Sequence, residues 1–211
     1  MQIEKAGSTD LLPWTVSVVV AVHNSEATLV ELSTRIMDAL VPLVPQLEIL
    51  YVNDGSSDRS WQIVTELAER YSEVRGLNLT RNYGQHNALL AGILRAQGKV
   101  TVTLDDDLQH PPEEIPRLLS KLNEGYDVVY GRPAERRHSI GRNLSSKALK
   151  AILKTMVGAE MAAHSSAFRA FRSVLRQGFE DFRGSHLSID VLLSWSSGPV
   201  THVPVEHQAR S

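Results

Sequence analysis

Three consecutive carboxylates, Asp105, Asp106 and Asp107, directly follow a short apolar run that ends at Leu104. Three negative charges this close repel one another unless a positive group lies among them. In an extended segment residues two apart point to the same side, so Asp105 and Asp107 can face one cation. Divalent ions such as Mg²⁺ and Mn²⁺ bind to a few carboxylates and take further oxygen ligands from water and substrate phosphates. The sequence therefore predicts a Mg²⁺ or Mn²⁺ site at Asp105 and Asp107.

A second polar cluster, residues 53–58 with the sequence Asn-Asp-Gly-Ser-Ser-Asp, follows another apolar run. At the end of a strand, the Asp54 carboxylate can accept a hydrogen bond from a nucleoside base or ribose hydroxyl. Gly55 permits a tight turn, and Asp58 can cap a following helix. An ordinary turn has the same composition, so this cluster alone indicates either a turn or a ligand-binding carboxylate.

A basic segment, residues 132–154, contains seven Lys or Arg side chains and one acid. Such a run is either a solvated helix face or a surface that binds phosphate groups. Lys147, Lys150 and Lys154 share one helical stripe, where each cation near an anionic membrane contributes about 1 kcal/mol. Alternatively, Arg142 and Lys147 hold a single phosphate between them.

The composition excludes several classes of protein. The net charge of −2 argues against a general nucleic-acid-binding protein, which needs a large basic excess. The absence of cysteine excludes disulfides and thiol catalysis, and the eight histidines show no zinc-ligand spacing. No apolar run approaches the roughly 20 residues of a membrane helix. The 211 residues fit a single domain with a polar, flexible N-terminus at residues 1–13.

Strand-like and helix-like stretches alternate along the first two thirds of the chain. Apolar, β-branched runs predict strands at residues 16–22, 47–52, 74–79, 100–104, 127–130 and 200–205. Helical spacing predicts helices at 26–40 (capped by Ser25), from about 58 to 71, 84–96, 113–124 and 168–182. This order favours an α/β fold with a mixed, mainly parallel sheet between helices. Such sheets bind ligands at the carboxyl ends of their strands, where Asp54 and Asp105 would lie.

Four motifs occur together in one order: Val22-His23-Asn24-x-Glu26, the cluster at 53–58, Arg-Asn-Tyr-Gly-Gln-His at 81–86, and Asp-x-Asp-Leu-Gln-x-Pro-Pro-Glu-Glu at 105–114. In these motifs the chain resembles the family 2 glycosyltransferases of GT-A fold. More narrowly, it is similar to the polyprenyl-phosphate glycosyltransferases, which include dolichol-phosphate mannose synthases and undecaprenyl-phosphate aminoarabinose transferases. The resemblance covers residues 16–211.

The resemblance implies a metal-dependent, inverting sugar transfer from a UDP- or GDP-linked sugar to a polyprenyl phosphate. It assigns Asp105 and Asp107 to the metal and diphosphate. The implied nucleotide-binding positions are Ala21, His23, Asn24, Glu26, Asp54, Asp106 and Gln109. The implied acceptor positions are Arg132, Arg136, Arg142, Ser146, Lys147, His207 and Arg210, with Arg142, Lys147 and Arg169 positioning the attacking phosphate. A phosphate acceptor is already anionic at neutral pH and needs no strong general base.

The chain also departs from the family pattern. Asn53 replaces the commoner Asp, and Ala167 replaces an Asp that some relatives use near the acceptor. The closing loop that begins at His207 stops at Ser211, so we expect a chain cut before a C-terminal membrane anchor. The expected location is cytoplasmic, peripheral on the inner face of the cell membrane, and a homo-oligomer is left open.

Two other functions fit part of the sequence. A family 2 transferase acting on a saccharide hydroxyl would need a carboxylate base from the second half of the chain, where the candidates are Glu160, Glu180, Asp181, Asp190 and Glu206. A non-catalytic module that binds a nucleotide sugar is disfavoured by the intact Asp105-x-Asp107 pair.

Overall fold

The computed structural model describes residues 12–133, 166–182 and 188–208. In these residues seven strands form one mixed sheet in the order β3-β2-β1-β4-β6-β5-β7. The strands are β1 Thr15–Val22, β2 Gln46–Asn53, β3 Val74–Asn78, β4 Val100–Asp105, β5 Val128–Pro133, β6 Arg169–Arg172 and β7 Val200–Val205. The helices are α1 Leu29–Leu40, α2 Ser60–Arg70, α3 Gln85–Ile93, α4 Ile115–Asn123 and α5 Ile189–Ser196. Short 3₁₀ segments span Pro112–Glu114 and Ser173–Gly178. The predicted mixed sheet is confirmed.

The central strand β1 brings the ends of three strands together. It is buried along Val16–Val22 and pairs in parallel with β2 on one side and β4 on the other. In this register Ala21 lies opposite Asp105, and Val22 lies opposite Asn53. The polar residues that follow β1, β2 and β4 therefore meet at one edge of the sheet.

Helices cover both faces of the sheet, because strands in its centre are apolar on both sides. On one face α1 packs through Leu29, Leu32, Ile36 and Leu40, beside α2 and α4. The spacing of three and four residues between these four side chains places them on one side of α1. On the other face lie α3 and α5. Burying each of these side chains contributes about 1.5–3 kcal/mol. This packing stabilises the sheet and therefore the positions of the strand ends.

The predicted helix over residues 168–182 is wrong. Residues 169–172 form β6, which pairs antiparallel with both β4 and β5, and a 3₁₀ segment follows. Phe168, Phe171, Leu175 and Phe179 have helical spacing, but Phe168 faces one side of the sheet and Phe171 the other. A strand buried on both faces shows no alternation of polar and apolar residues, which explains the misleading pattern.

The start of α1 also differs from the prediction. The helix begins at Leu29 rather than at residue 26, and Ser25 does not cap it. Instead, the Ser25 hydroxyl donates a hydrogen bond to the carboxylate of Asp106. None of the helices in the described part of the chain is long and apolar enough to cross a membrane.

Candidate active site

A cavity of about 300 Å³ opens at the carboxyl edge of the sheet, between the ends of β1, β2 and β4. The residues that line it are Ala21, Val22, His23, Asp54, Asn82, Gly84, Gln85, Asp105, Asp106 and Asp107. The sequence predicts six of these as site residues: Ala21, His23, Asp54 and the three consecutive aspartates. These six residues lie together because the parallel strands β1, β2 and β4 end at the same edge of the sheet.

The aspartate triplet has the electrostatics of a cation site. Burial, together with the charges of Asp107 and Asp106, raises the pKa of Asp105 to about 6. Burial also raises the pKa of Asp106. A divalent cation beside Asp105 and Asp107 would offset this repulsion, so the donor set fits Mg²⁺ or Mn²⁺. Among the described residues, no three Asp, Glu, His or Cys side chains gather into a closed metal site. Mg²⁺ and Mn²⁺ commonly take further oxygen ligands from substrate phosphates and water.

Asp106 holds the loop after β1. Its Oδ2 accepts hydrogen bonds from the backbone N–H of His23, at 3.1 Å, and from the hydroxyl of Ser25. Its backbone carbonyl accepts from the hydroxyl of Thr28 at 2.6 Å. The middle carboxylate is thus engaged by the β1–α1 loop, which leaves Asp105 and Asp107 as the pair that can share a cation.

Asp54 fixes the turn that precedes α3. One carboxylate oxygen accepts from the N–H of Tyr83 at 2.7 Å, and the other accepts from the N–H of Gly84 at 2.9 Å. Gly84 has a φ of 88°, a conformation that favours glycine. Because Asp54 is only 2% exposed, its clearest role is to shape the cavity wall. Its predicted contact with the nucleoside stays a prediction.

Three predicted nucleotide-binding residues do not line this cavity. The side-chain oxygen of Asn24 accepts from the N–H of Ser57 at 2.8 Å. The carboxylate of Glu26 accepts from the N–H of Arg59 at 2.9 Å, next to the start of α2. The N–H of Gln109 donates to Oδ1 of Asp107 at 3.1 Å. These three residues brace the loops around the cavity.

Asn82, Gly84 and Gln85 also line the cavity, and the sequence predicts no individual role for them. The Gln85 amide donates to Oδ1 of Asp105 at 2.5 Å. The run at 81–86 is one of the family motifs, and its position just after β3 places it at the same edge as Asp54. That position was the signal that could have identified Gln85.

The chain that leaves β7 returns to the aspartate loop. The N–H of Gln208 donates to the carbonyl of Gln109 at 2.9 Å. The ring of His207 meets the ring of His110 edge-on, with their centres 5.0 Å apart. Burial lowers the pKa of His110, with a smaller contribution from His207. His207, predicted to contact the acceptor, therefore lies beside the predicted metal loop.

Two predicted acceptor-side cations lie within the described part of the chain. Arg132 is in β5, near its end, opposite Pro204. Arg169 is 1% exposed and pairs with Asp190. The other predicted acceptor residues, Arg136, Arg142, Ser146, Lys147 and Arg210, lie outside the described residues.

Residues 17–183 match the family model described as glycosyl transferase family 2. Among curated proteins, the chain is 39% identical over 196 residues to an undecaprenyl-phosphate 4-deoxy-4-formamido-L-arabinose transferase of Klebsiella pneumoniae, covering 92% of this chain and 60% of that protein. It is 39% identical over 197 residues to the protein of that name from Pseudomonas aeruginosa, covering 93% of this chain and 58% of that protein. The chain therefore spans about 60% of the length of these relatives.

Solved structures share the fold. Glucosyl-3-phosphoglycerate synthase from Mycobacterium tuberculosis, in complex with Mn²⁺, UDP and phosphoglyceric acid, superposes with a TM-score of 0.64 at 21% identity. That comparison covers 94% of this chain and 72% of the synthase. TarS 1–349 of S. aureus in complex with UDP superposes with a TM-score of 0.63 at 17% identity, covering 90% of this chain and 57% of TarS.

Proposed function

The chain belongs to glycosyl transferase family 2 and has the GT-A fold, and from this premise we propose that it transfers a sugar from a nucleoside diphosphate sugar to a polyprenyl phosphate, with inversion at the anomeric carbon and with Mg²⁺ or Mn²⁺ bound. The observation that carries the proposal is the placement of Asp105 and Asp107 in a cavity at the carboxyl edge of the sheet. Glycosyl transfer itself follows from family membership. What we propose is the identity of the donor, of the metal and of the acceptor.

The donor half of the proposal is supported by the electrostatics of the cavity. Asp105 and Asp107 would hold the cation, which neutralises the charge of the departing diphosphate as a Lewis acid. Ala21 and His23 would lie under the nucleoside, and Asp54 keeps the opposite wall in place through the turn at Gly84. Two fold neighbours bind UDP, one of them with Mn²⁺, which supports a UDP-linked donor.

The acceptor half is supported by the curated relatives. Their name specifies undecaprenyl phosphate and a 4-deoxy-4-formamido-L-arabinose residue, and they are 39% identical to this chain over 92–93% of its length. A phosphate attacks without prior deprotonation at neutral pH, so an alanine at position 167 is tolerable. The cations of the basic segment 132–154, Arg142 and Lys147 in particular, would hold that phosphate near the anomeric carbon.

The same segment would place the enzyme at a membrane. A polyprenyl acceptor lies in a bilayer, and seven cations within residues 132–154 would favour an anionic membrane surface. We propose a peripheral position on the cytoplasmic face of the cell membrane.

A transfer assay with two classes of acceptor tests the proposal. The chain is incubated with Mn²⁺ and a panel of radiolabelled UDP- and GDP-sugars, with undecaprenyl phosphate in vesicles in one arm and soluble saccharides in the other. We expect label in the lipid fraction from one donor, and its loss with a chelator. Label in the saccharides alone would establish the saccharide-acceptor alternative. Nucleotide binding without transfer to either acceptor would instead support a non-catalytic module.

A further inference from the structure

Polar side chains on three neighbouring strands lie side by side in a row, two residues before the cavity residue Asp105 along β4. Thr103 of β4 lies opposite Arg169 of β6, and Arg169 lies opposite Tyr130 of β5. In the described sheet all three are interior strands, and α5 covers this face. Because residues two apart in a strand face the same way, Asp105 follows Thr103 on this face.

Asp190 of α5 closes the row through a buried ion pair. The guanidinium of Arg169 donates through Nη1 to Asp190 and through Nε to the hydroxyl of Thr103 at 3.0 Å. The Tyr130 hydroxyl donates to the same Asp190 oxygen at 3.0 Å. The Thr103 hydroxyl in turn donates to the carbonyl of Ala167 at 2.7 Å. These hydrogen bonds therefore link α5 to β4, β5 and β6.

Arg169 and Asp190 depend on each other for stability, because each compensates the buried charge of the other. Arg169 is 1% exposed, and a buried guanidinium is strongly destabilising without a compensating carboxylate. Breaking such a pair from one side typically costs about 3–5 kcal/mol, since the remaining charge is left uncompensated. A proton transferred to Asp190 during a reaction would have the same effect, because it would neutralise the only described carboxylate that is ion-paired with Arg169.

The cluster also adjoins Asp105. Arg169 donates to the hydroxyl of Thr103, which lies two residues before Asp105 on the same face of β4. From the other side, Gln85 of α3 holds Oδ1 of Asp105. The end of β4 is therefore held at Thr103 by Arg169, which pairs with Asp190, and at Asp105 by Gln85.

We propose that Asp190 is a positioning residue for the candidate active site: through Arg169 it fixes the end of β4 that carries Asp105, and it is not the general base. This inference rests on the proposed function, because the property it explains is the binding of a metal–diphosphate group by Asp105 and Asp107. It also removes Asp190 from the carboxylates that a saccharide-hydroxyl mechanism would need.

The test compares Asp190→Asn with wild type and with Asp38→Asn, an exposed control on α1. Calorimetry measures UDP affinity with and without Mn²⁺, and the transfer assay gives kcat across pH 5.5–9. For Asp190→Asn we expect at least a tenfold loss of Mn²⁺-dependent UDP affinity, with the pH profile of the residual kcat unchanged in shape. Unchanged UDP affinity would overturn the inference, and unchanged affinity combined with loss of one ionisation from the pH profile would make Asp190 the base.

A milder variant covers the case in which Asp190→Asn does not fold. Tyr130→Phe removes one hydrogen bond to Asp190 and keeps the ion pair, so we expect a two- to fivefold loss of the same affinity in a folded protein. An unaffected Tyr130→Phe would overturn the inference. If wild type shows no Mn²⁺-dependent UDP binding, the proposed function fails together with the inference. Wild-type binding with unaffected variants would refute the inference alone.

Discussion

The amide of Gln85 donates a hydrogen bond to Oδ1 of Asp105 at 2.5 Å and so joins the first turn of α3 to the last residue of β4. Both residues line the cavity. A carboxylate held in one orientation before its ligand arrives loses less entropy when it binds, so this contact should favour metal–nucleotide binding.

Replacing Gln85 tests that contact. A hydrogen bond to a charged group contributes about 1.5–3 kcal/mol, and solvent exposure of Gln85 reduces this. We therefore expect Gln85→Ala to weaken Mn²⁺-dependent UDP binding about three- to tenfold, with unchanged thermal unfolding. Gln62→Ala is the matched control, because Gln62 is also exposed and donates to a carboxylate, that of Glu66. Equal effects of the two substitutions in calorimetry would contradict a positioning role for Gln85.

The pKa of Asp105 predicts how metal-free stability depends on pH. Its folded value of about 6 lies above the ordinary 3.8, so the protonated form favours folding. The stability from this group is fully present below pH 3.8 and is lost as pH rises through 6. At 1.36 kcal/mol per pKa unit, the loss is on the order of 1–3 kcal/mol after allowance for partial exposure.

Asp105→Asn should remove this pH dependence, because an amide does not ionise. At pH 7.5 and without metal we expect the variant to have a free energy of unfolding about 1–3 kcal/mol above wild type, and near pH 4 we expect no difference. Urea unfolding at the two pH values makes the comparison. A variant less stable than wild type at pH 7.5 would contradict the raised pKa of Asp105.

Asp54 is predicted to matter to both fold and binding. Asp54→Asn leaves one acceptor for two N–H groups and directs an NH₂ group at the other, which costs about 1–3 kcal/mol in a buried site. We expect lower stability in urea and at least a tenfold loss of UDP affinity, since the turn at Gly84 forms a cavity wall. Asp38→Asn is the exposed control. Normal stability with lost affinity would mean that Asp54 contacts the nucleoside rather than shaping its pocket.

Arg142 tests the acceptor side, although it lies outside the described residues. If the basic segment holds the acceptor phosphate, Arg142→Ala should leave UDP affinity intact while transfer to undecaprenyl phosphate falls at least tenfold, because positioning supplies most of the rate for a nucleophile that needs no activation. Hydrolysis of the donor by water should survive. Lys121→Ala, which removes a cation from α4, is the control. Equal loss of donor binding and transfer would place Arg142 at the donor, and no loss of either would make the segment a solvated face.

The location of the cavity could be predicted from the sequence because it depends on local patterns. Apolar runs identify the strands, and the residues directly after them, Asp54 and Asp105, must lie at one edge of a parallel sheet. The Arg169–Asp190 pair could not be predicted in the same way. It depends on the antiparallel insertion of β6 between β4 and β5, a long-range pairing that leaves no periodic signal. The helical spacing of Phe168, Phe171 and Leu175 pointed to a helix instead.

Metal-dependent nucleotide binding by Asp107→Asn tests the central claim most directly, namely that Asp105 and Asp107 bind the donor diphosphate through one divalent cation. Calorimetry compares UDP binding to wild type and variant with Mn²⁺ and with a chelator, using Asp38→Asn as the control. We predict that Mn²⁺ raises the UDP affinity of wild type and of the control at least tenfold, and that it has no such effect on Asp107→Asn. A variant whose UDP affinity is still raised by Mn²⁺ to the wild-type level would contradict the account.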